Sequence, residues 1–106
     1  MRSLIITLGL IWSLLPNLVS ADGEKVYNDW CMICHAMTHN MPGTDRIREV
    51  YGNERADLKN SPFINESSLR ILVREGRGMM PPFRRTEISR EELDELINYL
   101  IEENQS

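Results

Sequence analysis

Two cysteines separated by two residues and followed at once by a histidine, Cys31-Met32-Ile33-Cys34-His35, restrict this chain more than any other feature. On a helix, residues three apart share a face, so both thiols would look the same way. Four uses of such a pair compete. A redox dithiol of the thioredoxin kind needs a βαβ pattern, which this sequence lacks. A disulfide across one helical turn is a strained geometry. Zinc would have to take Cys31, Cys34, His35 and His39, crowded into one short stretch with no second ligand pair to close a tetrahedron. The remaining use is c-type haem attachment: the thiols reach the two vinyl groups on one porphyrin edge, and His35 swings its imidazole to the iron.

The size of the chain favours the same use. Arg2, an apolar run over residues 4–15, the break at Pro16-Asn17 and the compact residues Val19-Ser20-Ala21 read as a signal peptide, residues 1–21. The run is shorter than the roughly 20 apolar residues that a membrane-spanning helix needs. No cysteine stands near the expected cut, which argues against a lipid anchor. Export and a mature domain over residues 22–106 are therefore expected, with membrane association only if the leader is retained. A domain this small buries a modest core and usually needs a staple. One disulfide between Cys31 and Cys34 would close too short a loop to organise a fold, whereas a porphyrin offers a large apolar surface to wrap.

Charge bears on partners. The chain has 12 Lys and Arg against 16 Asp and Glu, a formal net charge of −4, and Arg2 falls in the leader. Nucleic acid is excluded as a partner by that balance. Protein partners with basic patches suit it, through a steering that salt weakens.

Along the domain the hydrophobic periodicity is helical. Asp22 and Glu24 suit a helix start, and Val26, Tyr27 and Trp30 carry a helix over residues 24–35. The period lapses over residues 36–45, where Met41-Pro42-Gly43 is a turn signal, and a short helix over 46–53 ends at Gly52-Asn53. Residues 54–63 read as a polar loop. Asn65 caps a helix with Leu69, Leu72 and Val73 on one face, ended by Gly76 and Gly78. Met79-Met80-Pro81-Pro82-Phe83 is expected to be extended, because proline fixes its own φ and biases its predecessor. Ser89 with Glu92 forms a capping box for a last helix with Leu93, Leu96, Ile97, Leu100 and Ile101 as its stripe. No segment alternates as a strand does, so the fold class is all-α.

A second iron ligand is sought among the methionines. Met79 and Met80 precede two prolines that would stiffen a ligand loop, and Met80, abutting Pro81, is the first choice with Met79 as the alternative. A thioether is soft and uncharged and raises the potential relative to a second histidine. Met32, Met37 and Met41 read as packing. His39 lies too near His35 along the chain to reach the opposite face of a haem. The carbonyl of Pro42 is a candidate acceptor for Nδ1–H of His35.

With these residues in place the chain resembles class I cytochromes c over residues 22–103, most closely the short bacterial periplasmic mono-haem members. Gly23-x-x-x-Tyr27-x-x-x-Cys31-x-x-Cys34-His35 is similar to that family's first helix and haem motif. Gly78-Met79-Met80-Pro81-Pro82-Phe83 resembles the segment with the distal methionine, and Leu96-Ile97-Asn98-Tyr99-Leu100 the last helix. The resemblance implies three to five helices around one covalent haem c. Gly23 would then lie at the crossing of the first and last helices, among Tyr27, Leu96 and Tyr99. It further implies a periplasmic electron carrier, not an enzyme, ligated by His35 and Met80. Its partners would be redox proteins: a periplasmic dehydrogenase as donor, an oxidase or another cytochrome as acceptor. Two alternatives are a haem enzyme or gas-binding protein with an open sixth site, and a fixed cytochrome subunit of a dehydrogenase complex.

Overall fold

The computed structural model describes residues 22–105; the expected signal peptide lies outside them. Asp22 starts the first helix by accepting the backbone N–H groups of Glu24 (3.0 Å) and Lys25 (3.4 Å) on Oδ1. That helix is continuous but not uniform. α1 (Gly23–Val26) passes into a π-helical stretch (Tyr27–Cys31) and then into α2 (Met32–His35). The wider turn shows where Met32 N–H donates to the Tyr27 carbonyl, five residues back.

α1 packs on the last helix, α5 (Arg90–Gln105). Their backbones meet so closely at Gly23 that a Cβ there would collide with the Glu95 carbonyl oxygen and Tyr99 Cβ. Tyr27 and Tyr99 stack at a tilt beside it, ring centroids 5.8 Å apart, and Leu96 is fully buried. The crossing expected of Gly23, Tyr27, Leu96 and Tyr99 is present. α5 begins with the reciprocal capping box: Ser89 N–H donates to Glu92 Oε1 at 2.8 Å, and Glu92 N–H to Ser89 Oγ at 3.1 Å.

α3 spans Pro42–Tyr51. The sequence expectation of a turn at Met41-Pro42-Gly43 and a helix only from residue 46 is corrected here. Proline at the first helical position loses nothing, since the N–H it lacks would have no partner there and its φ is already helical. Thr44, fully buried, donates its hydroxyl to the Ala36 carbonyl at 2.7 Å and so ties α3 to the end of α2. Gly52, with φ +96°, ends the helix as expected.

The polar stretch after it is better organised than a plain loop. Two 3₁₀ turns, Asn53–Arg55 and Leu58–Asn60, bracket the fully buried Ala56. Lys59 lays its ammonium 5.3 Å from the ring centroids of both Tyr27 and Tyr99, and its carbonyl accepts Asn104 Nδ2 at 2.7 Å. Cation–π contacts of this kind are absent from any hydrophobic pattern.

α4 (Glu66–Glu75) is capped as expected, with Ser68 N–H donating to Asn65 Oδ1 at 2.9 Å. Leu69 and Val73 enter the core formed by Val26, Tyr27, Ile88, Leu93, Leu96, Ile97 and Leu100. Beyond Gly76 the expected extended run is only half right. Arg77 and Met80 exchange both backbone hydrogen bonds (2.9 and 3.0 Å), closing a tight turn through Gly78, at φ +60°, and Met79. Glycine at the first of two central positions suits that turn. The chain is free of regular structure from Pro81 to Arg84. Among the described residues no strand forms beyond that isolated bridge, and no helix is long and apolar enough to cross a membrane.

Candidate functional site

Cys31 closes the π-helical stretch, and Cys34 and His35 end α2, so one continuous helical segment carries all three. Both cysteines are half-buried and free of any disulfide. Burial, and secondarily the neighbouring Cys34, push the Cys31 thiol up to about 12. A redox dithiol requires the opposite shift, toward the thiolate. Zinc finds no better support: among the described residues no three His, Cys, Asp or Glu side chains converge as a metal-binding group.

His35 lies against α3. Gly43, in the first turn of that helix, leaves space that a Cβ would fill at 2.6 Å from His35 Cε1, 2.7 Å from Nδ1 and 2.8 Å from the Cys34 carbonyl oxygen. Burial lowers the His35 pKa and so favours the neutral imidazole, the form that binds a metal. Its Nδ1 is buried without a hydrogen-bond partner among the described residues. The expected bond from Nδ1 to the Pro42 carbonyl is therefore absent. Pro42 has become the first residue of α3, and carbonyls of a helix point along its axis toward the C-terminus, not sideways at a neighbouring ring.

The two methionine candidates separate clearly. Met79 sits at the tip of the turn, 88 % exposed. Met80 is half-buried and packs on the same core cluster as Trp30 and Cys31. Downstream, Phe83 anchors the loop. Its N–H donates to the Val73 carbonyl at 2.7 Å, and its ring meets Trp30 edge-on at 5.8 Å, one residue before Cys31. His39 is exposed, next to Asn40 at φ +63°, and joins none of these groups. Met32 and Met37 are exposed too, so the packing role expected of these two is corrected, while Met41 is partly buried outside the core cluster.

These residues fit a covalently attached haem. Two free thiols three positions apart sit beside a neutral imidazole whose buried nitrogen bonds to none of the described residues. A glycine provides clearance for the ring, and a thioether lies on the same cluster as Cys31. Gly43 and Thr44 were not singled out by sequence as parts of the site, and Phe83 entered only as the end of the methionine segment. Gly43 had a signal, since glycine inside a helix is a poor former and needs a packing reason. The Thr44 hydroxyl bond and the Phe83 backbone bond leave no trace in residue spacing.

A family model described as cytochrome c oxidase, cbb3-type, subunit III, matches residues 19–100. No curated protein and no solved structure matches the chain.

Proposed function

The chain belongs to this family of c-type cytochromes, and from that premise we propose that it is an exported, periplasmic mono-haem electron carrier with iron held between His35 and Met80. The family implies haem-based electron transfer and covalent haem c. With a single Cys-x-x-Cys-His motif, one haem is the natural stoichiometry. Haem c, when bound, supplies an iron that accepts and returns one electron. Cys31 and Cys34 would hold it through thioether bonds, His35 would ligate one face, and Met80 the other.

One observation carries the ligand assignment. Met80 packs on the cluster that includes Cys31 and Trp30, whereas Met79 stands 88 % exposed at a turn tip. Ligands on both faces leave no position for substrate, so the reading is a carrier and not an enzyme or gas-binding protein. The chain's acidic balance suits basic docking patches on a donor dehydrogenase and on an acceptor oxidase or cytochrome.

The near-infrared band of a methionine–ferric iron pair tests this. Met80→Ala abolishes the band and Met79→Ala leaves it. A high-spin wild-type spectrum that responds readily to carbon monoxide would falsify the carrier reading. The family's description as an oxidase subunit favours a second reading, a fixed subunit of a larger redox complex. Co-purification with a partner that persists at high salt would select it.

A further inference from the structure

We infer that Arg74 is a positioning residue for Met80, holding the loop that presents its sulfur; the inference rests on Met80 as the distal ligand. Arg74 lies on α4, remote from Cys31 and His35 in sequence. Its Nη1 donates to the Phe83 carbonyl at 3.1 Å and to the Ile88 carbonyl at 2.8 Å. These carbonyls flank a turn that is closed by its own bonds, Ile88 N–H to the Arg84 carbonyl (2.9 Å) and Arg84 N–H to Glu87 Oε1 (2.9 Å). Ile88 is fully buried and leads into the capping box of α5. One guanidinium nitrogen therefore ties together α4, the segment after Met80 and the start of α5.

The effect on Met80 follows from what lies between the anchors. On one side Met80 is fixed by its paired backbone bonds to Arg77. On the other, both backbone polar groups of Phe83 are held by consecutive residues of α4, Val73 and Arg74. Only Pro81 and Pro82 separate the two points, and their φ angles are locked. Removing the guanidinium frees the Phe83 and Ile88 carbonyls and halves the downstream anchor, leaving only the Phe83 N–H bond to Val73 on the backbone, with the prolines and the core in place. Loop opening, and with it departure of the sulfur, becomes easier.

The test is displacement of Met80 from the ferric holoprotein by imidazole, followed through the methionine–iron band. Arg74→Met should lower the half-displacing imidazole concentration about tenfold, the scale of one lost charge-assisted hydrogen bond. Arg74→Lys, which keeps a cationic donor, should stay within about threefold of wild type. If Arg74→Met does not accumulate, Arg74→Gln replaces it, with a shift of about threefold to tenfold expected. Asn104→Ala removes the bond to the Lys59 carbonyl at the opposite end of α5 and should leave displacement unmoved, which separates positioning from general stability. Amide exchange at Phe83 should quicken in Arg74→Met but not in Asn104→Ala. Equal displacement in wild type and Arg74→Met, with the band present in both, overturns the role of Arg74 alone. A wild type without the band, or a band that survives Met80→Ala, overturns the ligand assignment and the role of Arg74 with it.

Discussion

Glycine in the first turn of a helix is a poor helix former, and at Gly43 the imidazole of His35 supplies the reason for it. Gly43→Ala should therefore act on His35, the proposed haem ligand, as well as on α3. Overpacking of this kind costs about 1–3 kcal/mol. It should appear as a lower urea midpoint together with a mixed-spin component in the ferric spectrum. Tyr27 gives a pH prediction. Burial, and then the nearby Asp57, raise the pKa of its phenol, so the folded state prefers the neutral ring. The resulting stability is complete below the unfolded value of about 10 and is lost as pH rises beyond it toward the folded value. Urea midpoints should accordingly fall above about pH 10 in wild type, and less steeply in Tyr27→Phe. The proposed attachment residues Cys31, Cys34 and His35 stand out in the sequence because the chemistry of haem attachment dictates their spacing. The supports of His35 do not, because a carbonyl's direction and a glycine's clearance depend on where α3 begins, and Pro42 was ambiguous between a turn and a helix start.

At the scale of elements, the ends of helices were easier to read than the segments between them. Asp22, Asn65 and the Ser89–Glu92 pair each cap as their side chains dictate, since a cap is a local bargain between neighbours. The second 3₁₀ turn has its own cap, Lys59 N–H to Asp57 Oδ1 at 3.1 Å, but it is tied to the rest of the fold by Lys59 against the rings of Tyr27 and Tyr99 and by Asn104, partners distant in sequence. Nothing local announces such contacts. The α1–α5 crossing does have a local sign, Gly23, because only a missing side chain lets two backbones approach so closely. Gly23→Ala should separate the helices and cost about 1–3 kcal/mol or more. Urea unfolding followed by helical circular dichroism checks this. The exposed pairs Arg70–Asp94 and Arg70–Glu66 should matter far less, since surface ion pairs contribute about 0–1 kcal/mol.

The molecule as a whole has a small apolar core, centred on α1, α4 and α5, with α3 attached through α2 and Thr44. Such a core leaves little margin, and a bound group that favours the folded state adds to it. Replacing both Cys31 and Cys34 by serine should leave a chain with weak near-ultraviolet dichroism and broad, poorly cooperative unfolding, which a thermal scan would reveal. The π-helical stretch Tyr27–Cys31 has a consequence at this same scale. A helix turns about 100° with each residue, so one extra residue wound into a turn changes the direction in which everything beyond it faces. Gly23, before the wide turn, and Tyr27, at its first residue, address α5, while α2, beyond it, addresses α3. Loss of one residue there, such as the exposed Asn28, would leave the crossing intact and rotate the cysteine pair away from its bearing on α3. The wide turn thus sets the azimuth of the attachment motif independently of the contact that holds the helix in place.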